Sequence, residues 1–346
     1  MDLHGMLMQI SLIGVIISTI VATTAAEAAL AKLGCDYMCG DVKIPFPFGL
    51  TDGCYLNKNF HITCEDNVTA KTGDFAIKRI SIEDHELRVL NFVARRCYNK
   101  TGELVEGIKA SVNLSRYTIS NTKNKFTVVG CDAYLTGTQK GENYSIGCMS
   151  LCNSLLNVVN GSCSGVGCCE VEVPDGLKSI EMKVRSYNDH IDVWDFNPCD
   201  YAFLAEQGQF DFSTAYLKNL TDEELPMVLE WAIGNETCKT AAQNKTAFAC
   251  ERNSYCQDLE TKSGYLCKCK QGYQGIPYLP DGCQDINECE DPNLNNCTIA
   301  KNCVNTPGSY SCRCPKWYHG SGRKDGEGCE ANLLLVFKIA IGKYIY

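Results

Sequence analysis

The longest apolar segments lie at the two ends of the chain. Residues 6–21 form a nearly unbroken apolar run, and the small residues after it include Ala26-Glu27-Ala28, an arrangement typical of a signal-peptide cleavage site. No Lys or Arg precedes the run, so an uncleaved signal anchor is the alternative. The small residues and the cysteines downstream favour cleavage, and we predict a signal peptide over residues 1–28.

The second apolar segment, Leu333–Tyr346, holds fourteen residues and is interrupted by Lys338 and Lys343. A helix needs about 20 apolar residues to cross the hydrocarbon layer of a membrane. The segment is therefore too short to span a membrane by itself, and it predicts a helix at a membrane surface or a poorly ordered tail.

Short apolar runs punctuated by Gly, Asn and Cys fill the region between these ends, and no long stripe with a 3.6-residue period occurs before residue 205. Such runs are typical of strands rather than helices. The predicted fold is mainly β and disulfide-rich. The strand-like runs are Phe60–Thr63, Phe75–Ile82, Leu87–Val93, Lys125–Val129, Ile180–Val184 and Leu225–Ile233.

The chain has 24 cysteines, all of which follow the predicted signal peptide. This number indicates an oxidising compartment, where disulfides stabilise small domains. Twelve cysteines lie between Cys35 and Cys199, an even number that leaves their pairing open. Zinc is disfavoured because C-x₂-C pairs with nearby histidines are missing. The other twelve form two sets of six, each with a C-x-C pair: Cys238, Cys250, Cys256, Cys267, Cys269, Cys283, and Cys289, Cys297, Cys303, Cys312, Cys314, Cys329.

N-x-S/T sequons are spread along the mature chain and support export, because this motif is the acceptor for N-glycosylation in secreted proteins. The predicted glycosylation sites are Asn67, Asn99, Asn113, Asn143, Asn160, Asn219, Asn235, Asn244 and Asn296.

One stretch is basic within an otherwise acidic chain. The net charge is −9, which gives no basic field for nucleic acid. Residues 67–130, however, contain eleven Lys or Arg and six Asp or Glu. Arg can bind carboxylates through two hydrogen bonds, so the cluster as a whole is compatible with a polyanionic ligand. For any single residue of the cluster, a solvated charged face with local ion pairs is the better explanation. The candidate contacts are Arg79, Arg88, Arg95, Arg96, Lys100, Arg116, Lys123 and Lys125.

Oxygen-bearing side chains cluster around the last set of cysteines. Asp285 and Glu288 precede Cys289, and Asn305 lies between Cys303 and Cys312. Calcium prefers six to eight oxygen ligands from carboxylates, amides and carbonyls. The alternative is a solvated acidic linker between two modules.

Both sets of six cysteines resemble EGF-like modules, with an aromatic residue and Gly in the last loop. The resemblance implies pairing of the first with the third, the second with the fourth and the fifth with the sixth cysteine. The implied disulfides are Cys238–Cys256, Cys250–Cys267, Cys269–Cys283, Cys289–Cys303, Cys297–Cys312 and Cys314–Cys329.

The last module also resembles the calcium-binding EGF signature, D-x-N-E-C followed by C-x-N-x₄-Y-x-C. That resemblance adds the carbonyls of Ile286, Thr306 and Ser309 as ligands beside Asp285, Glu288 and Asn305, and it implies that Tyr310 packs against the neighbouring module. The first module lacks the acidic run, so we expect one Ca²⁺ ion. One position departs from the pattern, because Trp317 stands where EGF modules usually have Gly and would be strained at a positive φ.

The N-terminal part resembles the galacturonan-binding domain of plant wall-associated receptor kinases. The matching motifs are Cys39–Gly49 (CGDVKIPFPFG), Gly130-Cys131-Asp132, Gly167-Cys168-Cys169 and Phe196–Phe203 (FNPCDYAF). The resemblance implies binding to pectic homogalacturonan of the cell wall, and a transmembrane helix and Ser/Thr kinase in full-length relatives. We read Pro45-Phe46-Pro47-Phe48 as a stiff structural segment rather than as a platform for sugar stacking.

The predicted domain organisation combines these observations. The domains are a signal peptide at 1–28, a galacturonan-binding cysteine-rich domain at 29–205, a connecting β segment at 206–237, an EGF-like module at 238–284, a calcium-binding EGF-like module at 285–330 and an apolar tail at 331–346.

The sequence predicts a binding protein rather than an enzyme. It has no kinase motif, and Gly161–Gly165, which formally resembles a nucleophile elbow, lies among cysteines in a Gly-rich loop. We expect a secreted or cell-surface ectodomain that binds pectin and one calcium ion. Two alternatives stay open: recognition of a protein or peptide by the EGF-like modules, and kinase signalling in a longer parent chain.

Overall fold

The computed structural model describes residues 30–138, 145–259 and 263–331 of the chain. The predicted signal peptide, the sequon at Asn143 and the segment after Ala331 lie outside these ranges. Strands make up 42% of the structure and helices 6%, and all the cysteines are disulfide-bonded, so the prediction of a mainly β, disulfide-rich fold is confirmed. No helix among the described residues has the length and apolar content that crossing a bilayer requires.

The chain divides into two compact units. The N-terminal unit runs to Phe248 and includes Gln257–Leu266. The C-terminal unit consists of Ala249–Cys256 and the residues from Cys267 onward.

A six-stranded antiparallel sheet in the N-terminal unit has the order β10-β17-β6-β5-β4-β3. A separate hairpin, β1 with β2, precedes it in the chain. These strands are β1 (Met38–Cys39), β2 (Val42–Lys43), β3 (Thr63–Glu65), β4 (Thr69–Thr72), β5 (Phe75–Ser81), β6 (Glu86–Phe92), β10 (Thr118–Ile119) and β17 (Glu224–Glu230).

Strand β17 lies between β10 and β6, within residues 206–237, which we predicted as a connecting β segment. Leu225, Val228, Met227 and Leu229 are buried, and the last two are fully buried. The segment therefore contributes an interior strand to the N-terminal unit.

Two more antiparallel sheets complete this unit, with the orders β14-β11-β16-β7-β8 and β13-β12-β15-β9. Their strands are β7 (Ala94–Tyr98), β8 (Leu104–Ile108), β9 (Ala110–Asn113), β11 (Asn124–Gly130), β12 (Asp132–Thr138), β13 (Ser145–Leu151), β14 (Gly167–Glu172), β15 (Ser179–Ser186) and β16 (Cys199–Glu206).

One predicted strand, Phe60–Thr63, is different in the structure. The Asn57 side chain accepts a hydrogen bond from the Asn59 N–H and caps a 3-10 turn at Lys58–Phe60, so the strand begins only at Thr63. This local side-chain bond competes with the strand pattern.

A core of apolar side chains and cystines stabilises the N-terminal unit. Tyr201 and Phe203 of β16 and Val129 of β11 belong to its central cluster and are almost fully buried. Phe46 and Phe48 are also buried, which agrees with a structural role for the Pro45–Phe48 segment. The disulfides of this unit are Cys35–Cys54, Cys39–Cys64, Cys97–Cys199, Cys131–Cys152, Cys148–Cys169 and Cys163–Cys168.

The EGF-like modules consist of short hairpins. They are β18 (Ser254–Asp258) with β19 (Tyr265–Cys269), β20 (Tyr273–Gly275) with β21 (Cys283–Asp285), β22 (Cys303–Thr306) with β23 (Ser309–Cys312), and β24 (Tyr318–His319) with β25 (Glu330–Ala331). Among the described residues, the helical turns are α1 (Cys238–Ala241) and the 3-10 turns Lys58–Phe60, Leu155–Asn157, Thr214–Leu217 and Ala300–Asn302.

Candidate functional site

Three of the eight basic candidates are next to acidic residues at the β5–β6 pair. Arg79 lies opposite Arg88 in this pair and is exposed. Arg88 Nη2 donates to Glu206 Oε1 at 2.5 Å, and Lys123 Nζ lies 2.7 Å from a carboxylate oxygen of Glu86. The Glu86 hydrogen bond raises the pKa of Lys123. Local ion pairs therefore already offset much of this positive charge.

Three further candidates have local partners elsewhere. Lys125 lies 3.7 Å from both Glu170 and Glu172. Lys100 Nζ is 5.9 Å from the centre of the Trp194 ring. The remaining one, Arg116, donates two hydrogen bonds of 2.9 Å to the carbonyls of Lys58 and Asn59. Local contacts therefore also hold these three side chains.

Arg95 and Arg96 belong to a different arrangement, a cleft of about 600 Å³ in the N-terminal unit. We call it the basic cleft. Strands β7, β8 and β15 line it, and its lining residues include five cations and a single acidic residue, Asp189. The five cations are Arg95, Arg96, Lys109, Lys183 and Arg185.

The cations of the basic cleft differ in how far they are neutralised. Arg95 contacts Glu106 at 3.5 Å and donates to the Leu220 carbonyl, and Lys183 contacts Glu181 at 3.4 Å. Lys109 and Arg185 are exposed, and neither forms a salt bridge with an acidic residue of the described ranges. The cleft therefore has positive charge available for an anionic ligand.

Aromatic side chains and a buried donor add specificity to the same cleft. Tyr98 and Tyr134 line it, and the Arg96 guanidinium lies 5.6 Å from the Tyr98 ring centre. The Arg96 Nε atom is buried and has no hydrogen-bond partner within the described part of the chain. A buried donor without a partner is costly, so a ligand oxygen at this position would be stabilising.

A buried His–Asp pair lies behind Tyr98. The His190 ring stacks on Tyr98 at 4.7 Å, its Nε2 is 2.7 Å from Asp200 Oδ2, and its Nδ1 is 2.6 Å from the Asn197 carbonyl. Burial raises the pKa of Asp200 to about 6. Burial alone would lower the pKa of His190, but the hydrogen bond and charge of Asp200 raise it on balance.

Sequence reasoning missed Lys109, Lys183 and Arg185 because they lie in or next to strands that only the fold brings beside β7. A local signal did exist for β15. In this strand Met182 and Val184 are buried, while the residues that alternate with them, Lys183 and Arg185, are more exposed. A period of two with cations on the solvent side predicts a basic sheet face.

The calcium candidates lie at the joint within the C-terminal unit. Asn305 Nδ2 donates to Asp285 Oδ2 at 2.7 Å, and the Gly308 N–H donates to the other carboxylate oxygen of Asp285. Strand β22 brings Asn305 and Thr306 opposite Tyr310 and Ser309 of β23. Asp285 and Asn305 are therefore adjacent although 20 residues separate them.

Glu288 provides a test of whether a cation fits this joint. Its side chain is only 9% exposed, and its Oε2 is buried with no hydrogen-bond partner among the described residues. An unpaired buried carboxylate is unfavourable, and a bound cation would relieve that cost. No cluster of three His, Cys, Asp or Glu side chains occurs among the described residues, and this includes the joint. The oxygen-bearing side chains of Asp285, Glu288 and Asn305 are nevertheless of the kind that Ca²⁺ prefers.

Two glycines allow a close backbone approach at this joint. A Cβ atom on Gly272, which has φ 78°, would lie 2.1 Å from the Gly308 carbonyl oxygen. The Ile286 N–H donates to the Gly272 carbonyl at 2.9 Å, and the Tyr273 ring packs beside Gly308. Any side chain at either glycine would separate these backbones.

The structure also shows the contacts of Tyr310 and the backbone conformation of Trp317, the two aromatic residues noted in the sequence of the last module. The Tyr310 hydroxyl accepts from the Asn296 N–H at 2.9 Å, and Arg323 lies over its ring, so these contacts are within its own module. Tyr273 provides the aromatic contact with Gly308 instead. Trp317 adopts φ 80°, the strained conformation that its position in the sequence suggested.

Eight of the sequons lie in the described ranges. Seven have an exposed Asn, and Asn99, which donates to Glu103 at 2.7 Å, is half-buried. In the EGF-like modules the structure contains the disulfides Cys250–Cys267, Cys269–Cys283, Cys289–Cys303, Cys297–Cys312 and Cys314–Cys329, and Cys238 and Cys256 are disulfide-bonded as well.

Comparisons with known proteins assign both regions. A family model described as "Wall-associated receptor kinase galacturonan-binding" matches residues 35–91, and one described as "Calcium-binding EGF domain" matches residues 285–329. Wall-associated receptor kinase 2 of Arabidopsis thaliana is 41% identical over 298 residues, which cover 84% of this chain. The chain matches the extracellular region of a wall-associated receptor kinase.

Other wall-associated receptor kinases of Arabidopsis thaliana are similar at the same level. Wall-associated receptor kinase 5 is 40% identical over 305 residues, which cover 85% of this chain, and wall-associated receptor kinase 3 is 40% identical over 295 residues, which cover 80%. The chain spans about two fifths of the length of these relatives (39% to 40%). No solved structure matches it significantly. The basic cleft lies outside the residues of the galacturonan-binding match.

Proposed function

We propose that this chain is an extracellular receptor region that binds pectic homogalacturonan in the basic cleft and one Ca²⁺ ion at the joint of its EGF-like modules. The single observation that carries the proposal is the cleft itself, whose lining includes five cations, two tyrosines and one carboxylate. Homogalacturonan carries regularly spaced carboxylates on sugar rings, so both its charge and its shape complement this lining.

The contributions of the cleft residues follow from their environments. Lys109 and Arg185 provide exposed charge that attracts the polymer. Arg96 provides a buried donor for a single uronate oxygen, because its Nε has no partner in the described ranges. Tyr98, stacked on His190, provides a rigid apolar surface for a sugar ring. The cleft volume of about 600 Å³ accommodates only a few sugar residues, so a longer polymer would extend beyond it.

Calcium has a structural part in this proposal. Asp285, Glu288 and Asn305 would hold the ion together with the carbonyls of Ile286, Thr306 and Ser309. When bound, the ion cross-links residues from both sides of the joint and neutralises the buried Glu288 carboxylate. The joint would then keep one geometry, and the module that follows would have a fixed orientation.

The predicted signal peptide, the exposed sequons and the disulfides support export. We propose a location at the cell surface or in the cell wall, with the polymer as the partner and no enzymatic activity in this part of the receptor. Kinase signalling belongs to a longer parent chain.

Binding of the purified glycoprotein to polygalacturonate of graded length, across salt concentrations, tests the polymer-binding proposal. We expect saturable binding that weakens as salt rises, because exposed charges are screened. The double variant K109E/R185E should lose roughly tenfold or more in affinity, about 1.4 kcal/mol or more. The matched control K78E/R79E changes the net charge by the same amount, at exposed residues of β5. Its affinity for the polymer should be close to that of the wild type. Equal losses in both variants would contradict the assignment to the cleft.

A further inference from the structure

The two EGF-like modules have corresponding turns with very different residues. Gly272 follows Cys269 by three positions, and Trp317 follows Cys314 by three positions. Both adopt left-handed backbone conformations, with φ 78° and φ 80°. A tyrosine comes next in each module, Tyr273 in the first and Tyr318 in the second.

Trp317 is strained without being buried. A bulky residue at positive φ costs on the order of 1–3 kcal/mol, and glycine at the same position would avoid that cost. Trp317 is 44% exposed, Tyr318 is 49% exposed, and the Lys316 ammonium lies 4.9 Å from the Trp317 ring centre. Packing inside the module therefore does not account for the tryptophan. A strained, exposed aromatic residue indicates a contact outside the module.

The turn in the first module shows which contact this position makes. Gly272 accepts a hydrogen bond from the Ile286 N–H, and Tyr273 packs beside Gly308, so the turn supports the part of the chain that comes next. In the second module the same turn lies beside the end of the described chain, because Tyr318 pairs with Ala331 across β24 and β25. Two residues beyond Ala331 the sequence becomes apolar, from Leu333 to Phe337.

We propose that the turn Lys316-Trp317-Tyr318 docks into the headgroup layer of a lipid bilayer. Tryptophan and tyrosine are enriched at membrane interfaces, and lysine extends its ammonium to the aqueous side. Arg323, six positions after Trp317, is paired with Asp325 at 2.8 Å and lies over the Tyr310 ring, so its charge is already engaged within the module. This contact would fix the height and tilt of the last module above the membrane, and it is independent of polymer binding.

Tryptophan fluorescence of the full chain with phosphatidylcholine vesicles tests the proposal. The chain has three tryptophans, and the emission of two of them should not change when vesicles are added. Trp231 is buried, and Trp194 is half-buried with its indole N–H donating to the Tyr98 carbonyl. We expect vesicles to shift the emission to shorter wavelength and lipids brominated near the headgroup to quench it. Trp317→Gly should abolish both effects and, because it removes strain, should leave the melting temperature equal or higher.

Two further variants keep the test decisive. Trp317→Asn, which also tolerates positive φ, should behave like Trp317→Gly, and Tyr255→Ser, at a tyrosine 47% exposed in the preceding module, should keep the shift. Absence of vesicle binding, or binding with unchanged emission, would overturn the proposal. So would emission that is already at short wavelength without vesicles, because the occupant of the surface would then be the apolar segment itself.

Discussion

The N-terminal unit and the last EGF-like module are stabilised by different means. In the first, large side chains such as Phe126, Tyr201 and Phe203 are almost fully buried between sheets. In the last module, from Asp285 onward, the buried residues are Glu288, Asn295, Cys297 and Gly322. A module whose buried side chains are an acid, an amide and a cystine depends largely on disulfides for its order, and a cation bound at Glu288 would add to it. The difference predicts that the two regions respond independently to mutation, metal and pH.

The largest expected effect comes from the core of the N-terminal unit. Phe203→Ala should destabilise this unit by about 3–5 kcal/mol, because it leaves a cavity between packed sheets. Denaturant unfolding followed by the fluorescence of buried Trp231 measures the loss. Calcium affinity should stay unchanged in the same variant. A parallel fall in calcium affinity would show that the two regions fold as one cooperative unit.

Removing the buried acid should separate calcium binding from stability in the last module. Glu288→Gln should weaken Ca²⁺ binding roughly tenfold or more, about 1.4 kcal/mol, because a charged ligand is lost. When a chelator has removed the calcium, however, the variant should be more stable than wild type, since it no longer buries an unpaired charge. Calorimetry with and without calcium measures both. Glu327→Gln, at an exposed acid of the same module, is the control and should change neither.

The His190–Asp200 pair should make the N-terminal unit more stable in mild acid. The pKa of Asp200 is about 6 against 3.8 in an unfolded chain, and that of His190 is also raised, so the folded state binds more protons. The contribution is present at low pH and is lost as pH rises through the folded pKa values. Asp132 and Arg96 also act on this pair.

The loss between about pH 4 and pH 8 should be on the order of 1–3 kcal/mol, at 1.36 kcal/mol per pKa unit. Thermal unfolding across pH measures it. Asp200→Asn should flatten the profile, whereas Asp195→Asn, at an exposed acid, should not. A steeper dependence of stability on pH in Asp200→Asn would contradict the assignment of this pH dependence to the His190–Asp200 pair.

The smallest expected effect concerns the basic residues outside the cleft. Lys123→Ala removes an exposed ion pair with Glu86, so the loss of stability should be about 0.2–1 kcal/mol. Its affinity for polygalacturonate should stay within about twofold of wild type, since Lys123 is already paired. A large loss of binding would move the polymer site from the basic cleft to the β5–β6 surface.

The local pattern of apolar and polar residues predicted most strands, but it could not predict which charged side chains lie close together. The period of two in Phe75–Ser81 and Glu86–Phe92 was visible in the sequence because one face of each strand is buried. The resemblance to the calcium-binding EGF signature had also singled out Asp285 and Asn305, which the structure places side by side. At Phe60 a side-chain cap redirected the backbone, and a strand pattern contains no information about such a cap.

The basic cleft depends on long-range pairing instead. Arg96 and Arg185 are 89 positions apart in the sequence, and only the packing of β15 beside β7 brings them to the same surface. A window of net charge therefore found Arg95 and Arg96 but grouped them with residues such as Lys125, whose partners are on β14. The number of cations in residues 67–130 suggested a polyanionic ligand. Which of these cations lie on one surface could be seen only in the folded structure.

Hydrogen exchange of the full chain with and without oligogalacturonate is the most direct test of the central claim, that the basic cleft binds the polymer. We predict slower exchange in β7 (Ala94–Tyr98) and at the end of β15 (Met182–Ser186), with the β5–β6 pair and the last module unchanged. Protection confined to the EGF-like modules, or to β5 and β6, with no change in the two cleft strands, would contradict it.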